Sequence, residues 1–376
     1  MSSSSSPSPR VLLLSERNAE ARKWHAWQYE FEDVIAAVDD VRVVAPAAAH
    51  EPPLARLGRR VARKLGRDPL HADPALERVR VTGEYDLFFA VLHFPEDIPH
   101  LERLLDWRER CDKAVCYIAE VYDRPEVHPY LELLRRFRFD QVFLFMPREA
   151  ALVSRLSGAP TAFLPVAVDA LRFSPHPDPP ERVVDLYQFG RRSEVTHAAA
   201  LGLARDGGAF YLYDTVFNVP LPDPRAHREL IAETMKRSRY FFAYRPTQDV
   251  TRPEEESLAS RYFEGVGGGT ILLGEAPDLP EYRENFDWPD ALIPIPYEAS
   301  NLREIVADLD AQPQRLARAR LNNDLATLRR HDWAYRWGQV LDAVGLPETP
   351  RMQERRERLE ALAVLAEDRE GAPIRP

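Results

Sequence analysis

The sequence predicts an α/β protein made of two consecutive doubly wound domains, each a parallel sheet covered by helices. The chain has 376 residues, which is too long for one ordinary doubly wound domain and sufficient for two. Short apolar runs alternate with helical stretches along most of the chain, and such alternation indicates parallel strands with helices on both faces. A proline-rich stretch interrupts the alternation near the middle and separates the two halves.

The first predicted domain covers residues 10–168 and follows a serine- and proline-rich segment, residues 1–9. That segment lacks a basic n-region and an apolar h-region, so it is expected to be a disordered leader rather than a secretion signal. After the first strand, apolar residues recur at helical spacing and predict an amphipathic helix; they are Trp24, Trp27, Phe31, Ile35 and Val38. The predicted strands are Val11–Leu14, Val41–Val44, Tyr85–Leu92, Ala114–Val121, Gln141–Met146 and Thr161–Val166.

Residues 169–183 are predicted to form an interdomain linker, because four prolines lie in a stretch with almost no apolar content. The second predicted domain covers residues 184–330. Its strands are predicted at Val184–Phe189, Phe210–Tyr213, Tyr240–Tyr244, Thr270–Leu273 and Leu292–Ile295, with helices at Ser193–Arg205 and Asp223–Arg237 and a third ending at Val266. Residues 331–376 are predicted to be helical, with Pro350 at the first position of the last helix.

The composition is that of a soluble globular protein, with 45% hydrophobic and 29% charged residues. No apolar run approaches the roughly 20 residues of a membrane-spanning helix. Cys111 and Cys116 are the two cysteines, which form neither a disulfide framework nor a zinc site, so a reducing cytoplasm is the expected location. The net charge of −10 argues against a nucleic-acid partner, since such proteins need a basic surface.

A basic amphipathic segment occupies residues 54–67. Four aliphatic residues form one stripe, and six basic side chains cover the other faces. Such a helix can make weak contact with an anionic membrane surface. The alternative is an ordinary surface helix on the first domain, and it is favoured because Gly58 and Gly66 weaken the helix.

The end of the first strand argues against a dinucleotide-dependent enzyme. It leads into Ser15-Glu16-Arg17-Asn18, where no glycine lets a pyrophosphate approach the backbone. No cofactor is therefore expected.

Two strand–helix junctions in the second half carry groups suited to a phosphorylated ligand. The first is Gly190-Arg191-Arg192-Ser193, where a glycine permits a tight turn, a serine can cap the helix and two guanidiniums stand where a diphosphate would lie. In isolation this motif favours a plain surface turn with two solvated arginines; its place at a strand end makes ligand binding a competing interpretation. The second junction begins at Arg245.

Glu264 lies in the middle of the helix that follows Arg245. Glycines flank it and are expected to open backbone space beside it, so that its carboxylate could accept hydrogen bonds from both hydroxyls of a ribose. The alternative is a carboxylate on a solvated helix face. Arg261, one turn earlier, is a further candidate for phosphate binding.

Three segments resemble a known family. SRYFEGVGGGTILLGEAPDLPEYRENF (260–286) resembles the C-terminal core of retaining GT-B glycosyltransferases of the family 1/family 4 type, which includes the CgeB-like proteins. AFLPVAVDALRFSP (162–175) and HDWAYRW (331–337) are similar to two further signatures of that family. The resemblance implies a GT-B architecture, two Rossmann-like domains facing a central cleft, and a nucleotide-sugar donor. It also implies that Glu264 binds the ribose and that Glu256, eight residues earlier, approaches the sugar.

The acceptor side is expected in the first domain, where a general base needs a carboxylate or an imidazole. His93, Glu120 and Asp123 follow two predicted strands and are the candidates. Alternatively, polar residues at strand ends mark only the exit of the chain to solvent. The acceptor itself stays unknown.

Metal binding is not expected to be part of the chemistry, because arginines and helix N-termini can meet the diphosphate charge. Asp308 and Asp310 lie in a helical pattern that a solvated face explains. Two alternatives to a transferase remain open: a catalytically inactive nucleotide-sugar-binding partner protein and a GT-B sugar epimerase.

Overall fold

The computed structural model describes residues 9–18, 25–47, 76–190, 192–215, 221–245 and 257–370. Contacts between residues divide the chain into two compact units. The first unit consists of Met1–Ala21, Ile35–Leu164 and Gln339–Pro347; the second consists of Arg22–Val34, Pro165–Gly338 and Glu348–Pro376.

The first unit is built on a parallel sheet. Its described strands are β1 (Val11–Leu14), β2 (Val41–Val44), β4 (Tyr85–Leu92), β6 (Cys111–Ile118), β7 (Gln141–Leu144) and β8 (Thr161–Phe163), in the order β2-β1-β4-β6-β7-β8. A separate parallel pair joins β3 (Val79–Arg80) to β5 (Leu104–Leu105). Its described helices include α2 (His128–Phe137), α3 (Ala150–Ser157) and the 3-10 helix Pro95–Arg103. Every residue of β1 is buried, so β1 lies in the core of the sheet.

The second unit has a parallel sheet of its own. Its described strands are β9 (Val184–Gln188), β10 (Tyr211–Tyr213), β11 (Ser238–Ala243), β12 (Ile271–Gly274) and β13 (Ile293–Pro294), in the order β10-β9-β11-β12-β13. The helices from here on are α4 (Ala170–Phe173), α5 (Glu194–Arg205), α6 (Pro224–Lys236), α7 (Ser260–Gly267), α8 (Pro280–Asn285), α9 (Leu302–Asp310), α10 (Pro313–Arg330), α11 (Trp333–Ala343) and α12 (Pro350–Glu370). The early helix α1 (Ala26–Val38) starts in the second unit and ends in the first.

The predicted α/β class, with two parallel sheets and interleaved helices, is confirmed. The bounds of several strands shift by a few residues. The strand predicted at Ala114–Val121 is Cys111–Ile118, because its ladder with β4 already starts at the pair Tyr85 and Cys111. The strand predicted at Tyr240–Tyr244 is Ser238–Ala243 for the same kind of reason, since Ser238 pairs with Val184.

The segment predicted as a linker, residues 169–183, is built into the second unit at both of its ends. Ala170–Phe173 forms the short helix α4, and Phe173 is fully buried. Arg182 donates hydrogen bonds to the carbonyls of Ser238 and Gly268. Buried apolar side chains therefore hold the first part of the segment in the core of the second unit.

Two other expectations lie outside the described residues: the leader, apart from Pro9, and the basic segment 54–67. Among the helices that the structure describes, none has the length and apolar character needed to cross a membrane.

His331 anchors the C-terminal end of α10 in the second unit. Its Nε2 donates to the carbonyl of Asn285 at 2.9 Å, and its Nδ1 accepts from Arg336 at 3.2 Å. The ring is buried and stacks on Phe286. Burial, together with the charges of Arg336 and Arg330, lowers the pKa of His331 well below its ordinary value of 6.5. The imidazole is therefore neutral in the folded protein at physiological pH.

The free energy of unfolding should fall as the pH drops below about 6.5, because the unfolded chain binds a proton at residue 331 that the folded chain does not. One such group contributes a slope of up to about 1.4 kcal/mol per pH unit. Urea unfolding between about pH 7.5 and pH 5 measures it. The variant His331→Asn should show a smaller slope, and equal slopes in the two proteins would contradict this role of His331.

Candidate functional site

The carboxyl ends of β9, β11 and β12 form the edge at which parallel sheets bind ligands. Gly190, just after β9, has φ of +75°, a conformation that favours glycine, so the predicted tight turn is confirmed. Its N–H donates to the carboxylate of Asp214. Ser193 then caps α5 by accepting the N–H of Thr196 at 3.3 Å, as the sequence predicts.

Arg192 lies along this edge. Its Nη2 donates to the carbonyl oxygen of Asp214 at 2.8 Å, and its guanidinium carbon lies 5.5 Å from the centre of the Tyr213 ring. Backbone and ring contacts therefore orient the guanidinium beside the ends of β9 and β10. Its neighbour Arg191 lies outside the described residues.

Arg261, in the first turn of α7, reaches the same turn. A Cβ atom placed on Gly190 would lie 3.6 Å from Nη2 of Arg261. The fold therefore brings close together two junctions that lie 71 residues apart in the sequence.

Arg245 follows β11, the strand beside β9. Its Nε lies 3.8 Å from Oε2 of Glu275, which directly follows β12. The other oxygen of Glu275 accepts the N–H of Tyr297 at 3.2 Å. Glu275 was missed by the sequence reasoning, although its place at a strand end could have indicated it. Arg192, Arg245 and Arg261 thus bring three guanidiniums to one edge of the sheet.

Glu264 differs from its predicted surroundings. The sequence suggested a partly solvated helix position, but Glu264 is only 4% exposed. Its Oε1 accepts a hydrogen bond from Nη1 of Arg228, and Ser260 Oγ lies 3.5 Å from Oε2. The second turn of α7 faces α6, which carries Arg228, and this packing buries the carboxylate.

The sequence predicted that the glycines after Glu264 open space beside it. The structure shows instead that they permit close packing. A Cβ atom on Gly265 would lie 2.2 Å from Leu272 Cδ2, and one on Gly268 would lie 2.5 Å from Met235 Cβ. Both distances are shorter than real Cβ contacts allow. The absence of side chains brings α7 against β12 and α6, and so fixes Glu264 in the core.

Arg228 lies between two carboxylates. Besides Glu264 it donates from Nη2 to Glu30 Oε2 at 3.0 Å, and all three side chains are buried. Burial alone would lower the pKa of Arg228, but the charges of Glu30 and Glu264 outweigh it and raise that pKa. Burial and the charge of Glu264 likewise raise the pKa of Tyr187.

Glu30 is itself held by several donors of the second unit. Arg172 Nη1 donates to it at 2.9 Å, the indole of Trp333 at 3.1 Å and the backbone N–H of Asp169 at 3.1 Å. Sequence reasoning missed both Glu30 and Arg228, because each lies on a helix where a solvated face is the ordinary explanation.

In the first unit, the predicted acceptor residues lie at the carboxyl ends of β4 and β6. His93 Nε2 lies 3.7 Å from Glu120 Oε1, and Tyr122 donates to Glu120 Oε2 at 3.0 Å. Asp123 contacts His128 instead, at 2.7 Å. His93 is buried, so its position after a strand does not mark an exit to solvent.

Glu256, predicted to approach the sugar, lies outside the described residues. The same edge of the first unit also holds a group that sequence reasoning missed: Glu16, Asp97 and His100. Burial and the charge of Glu16 raise the pKa of Asp97 to about 8.

A comparison with protein families matches residues 212–342 to a family described as glycosyl transferase-like. The match extends from β10 through α11 and includes Arg228, Arg245, Arg261 and Glu264. The predicted resemblance to glycosyltransferases is confirmed. A comparison with curated proteins finds no match.

Several solved structures are similar to this chain at low identity. Alr3699/HepE from Anabaena, in complex with UDP-glucose, has 11% identity and a TM-score of 0.49, over 89% of this chain and 99% of its own. The trehalose 6-phosphate synthase of Burkholderia multivorans has 11% identity and a TM-score of 0.46, over 98% and 100%. UGT89C1 from Arabidopsis thaliana has 10% identity and a TM-score of 0.45, over 90% and 100%.

Replacing Arg228 by methionine should lower the free energy of unfolding by roughly 3–5 kcal/mol, because two buried carboxylates lose their shared cation. The matched control is Arg237→Met, which breaks an exposed ion pair with Glu233 beside the C-terminal end of α6 and should cost about 1 kcal/mol or less. Urea unfolding of the full chain measures both. If both variants lost the same free energy of unfolding, the buried ion pairs of Arg228 would contribute no more to stability than the exposed pair of Arg237.

Proposed function

We propose that this protein transfers a sugar from a nucleotide-sugar, held at the carboxyl edge of the second unit, to an acceptor hydroxyl. The observation that carries the proposal is the proximity of the Arg261 guanidinium to Gly190, since α7 and the turn after β9 thereby lie close together. The match of residues 212–342 to glycosyl transferase-like proteins supports the reaction class. By resemblance, the reaction retains the anomeric configuration. The buried free thiols support the proposed cytoplasmic location.

The diphosphate of the donor is assigned to Arg192 and Arg261, with Arg245 at the next strand. A guanidinium binds phosphate oxygens through two parallel N–H groups, a geometry that an ammonium cannot copy. The N-terminus of α5, whose capping residue Ser193 directly follows Arg192, adds backbone N–H groups and a favourable dipole. Arg191 is assigned to the same role from the sequence.

The ribose is assigned to Glu264. Arg228 fixes one of its oxygens, so the carboxylate is held in a single orientation by its own unit. An ionised carboxylate accepts hydrogen bonds but donates none, which suits a pair of vicinal hydroxyls. Glu256 is assigned to the sugar by the resemblance.

The acceptor proton is assigned to the His93 and Glu120 pair of the first unit. An imidazole next to a carboxylate is a suitable general base, and the two groups lie 3.7 Å apart. Asp123, which contacts His128, remains a further candidate.

The variant Glu264→Gln should weaken binding of the donor by about tenfold or more, because hydrogen bonds to a charged group contribute about 1.5–3 kcal/mol each. A thermal-shift screen with UDP-, GDP-, ADP- and dTDP-sugars identifies the donor, and calorimetry then gives Kd for each variant. The glutamine keeps the shape of the side chain, so the melting temperature reports separately on the lost ion pair.

The control is Asp185→Asn, which removes a carboxylate paired with Arg239 near the amino end of β9, at the opposite edge of the sheet. It should leave Kd unchanged. Parent-like affinity in Glu264→Gln would instead show that this carboxylate serves only the ion pair with Arg228.

Donor binding and turnover should persist in EDTA, because guanidiniums and helix N–H groups neutralise the diphosphate. Release of free nucleotide, assayed well below the melting temperature, measures turnover. If EDTA abolished turnover without changing the melting temperature, and Mg²⁺ or Mn²⁺ restored it, the proposed metal-independent mechanism would be wrong.

A further inference from the structure

A separate group of ligating side chains lies in the first unit, and the proposed reaction does not use it. Glu16 follows β1, while Asp97 and His100 belong to the 3-10 helix Pro95–Arg103, which follows β4. One potential ligand atom of each residue lies within 4.8 Å of the others. His100 Nδ1 and Glu16 Oε1 are 2.5 Å apart. Among the described residues, these are the three acidic, histidine or cysteine side chains whose potential ligand atoms lie so close together.

The fold forms this group from three separate constraints. The strands β1 and β4 are parallel neighbours, with Leu14 opposite Ala90, so the segments after them leave the sheet side by side. In a 3-10 helix, residues three apart eclipse each other, which places Asp97 and His100 on one face. The backbone N–H of Phe94 donates to Asp97 Oδ2 at 2.8 Å and fixes that carboxylate at the start of the helix.

The surroundings suit a cation. The side chains of Glu16 and His100 are only 8% and 16% exposed, so water solvates them poorly. Two carboxylates held together in such a place gain from a positive charge between them. One imidazole with two carboxylates is a ligand set for Mn²⁺, Co²⁺ or Zn²⁺, whereas Mg²⁺ and Ca²⁺ prefer oxygen ligands alone.

We propose that Glu16, Asp97 and His100 bind one divalent transition-metal cation, which joins the segment after β1 to the helix Pro95–Arg103. All three ligands come from the first unit, and the donor diphosphate is not among them. The site therefore stabilises the fold of this unit, and its existence does not depend on the proposed transfer reaction.

The test uses the full chain, stripped with EDTA and dialysed, and then titrated with Co²⁺. We expect one equivalent to bind, with visible absorption bands that Zn²⁺ abolishes by displacement, and a higher melting temperature with either metal. His100→Ala and Glu16→Gln should each weaken Co²⁺ binding by at least about tenfold. Even the mutation of a residue that only supports a metal ligand typically lowers metal affinity by about 10- to 100-fold.

The matched control is His128→Ala, which removes the imidazole of the exposed pair with Asp123. This variant should bind Co²⁺ like the parent. Affinity for the nucleotide-sugar, measured in the same samples, should be unchanged in the two ligand variants, which separates this site from the donor site.

Two results would overturn the proposal. One is a parent protein that binds no Co²⁺, Zn²⁺ or Mn²⁺ above the level of the His100→Ala variant. The other is equal binding in the parent and in Glu16→Gln, which would locate the ion elsewhere. If His100→Ala fails to fold, Co²⁺ binding by Glu16→Gln, which keeps the shape of the side chain, tests the proposed site by itself.

Discussion

The helices of the second unit depend on the ion pairs of one buried cation, Arg228. Arg228 lies between Glu30 and Glu264 and donates a hydrogen bond to each of these buried carboxylates, which offsets part of the free-energy cost of burying them. Glu30 also receives hydrogen bonds from Arg172 and Trp333. One network therefore joins α1, α4, α6, α7 and α11. The candidate donor residues on α7 are positioned because this network fixes the helix that carries them.

The sequence predicted most of the fold because strand and helix periodicities are local properties. Val11–Leu14 and Tyr85–Leu92 are recognisable from their own residues, and the structure keeps those bounds. The strand–helix turn at Gly190 was equally local, since a glycine before a capping serine indicates it. The observed strand bounds differ from the predicted ones where pairing with a neighbouring strand sets them, as for Cys111, which pairs with Tyr85.

The candidate site was predictable only in part, because burial and ion pairing arise from contacts between distant residues. Arg228 and Glu30 are 198 positions apart, and no spacing rule connects them. The same holds for Glu16 and His100, which meet only because β1 and β4 are neighbours. Glycines next to Glu264 could indicate either free space or close packing, and only the positions of Leu272 and Met235 decide between these.

The first part of helix α1 belongs to the second unit, so the chain cannot be divided into its two units by a single cut. Because Glu30 lies more than a hundred residues before Pro165, the second unit is discontinuous along the chain. An expression fragment that starts at Pro165 would lack the acidic partner from α1, and Arg228 would face an apolar core with one carboxylate instead of two. Dissection of this protein into independent halves therefore requires a circular permutation or a fusion that carries Arg22–Val34 along with the C-terminal part.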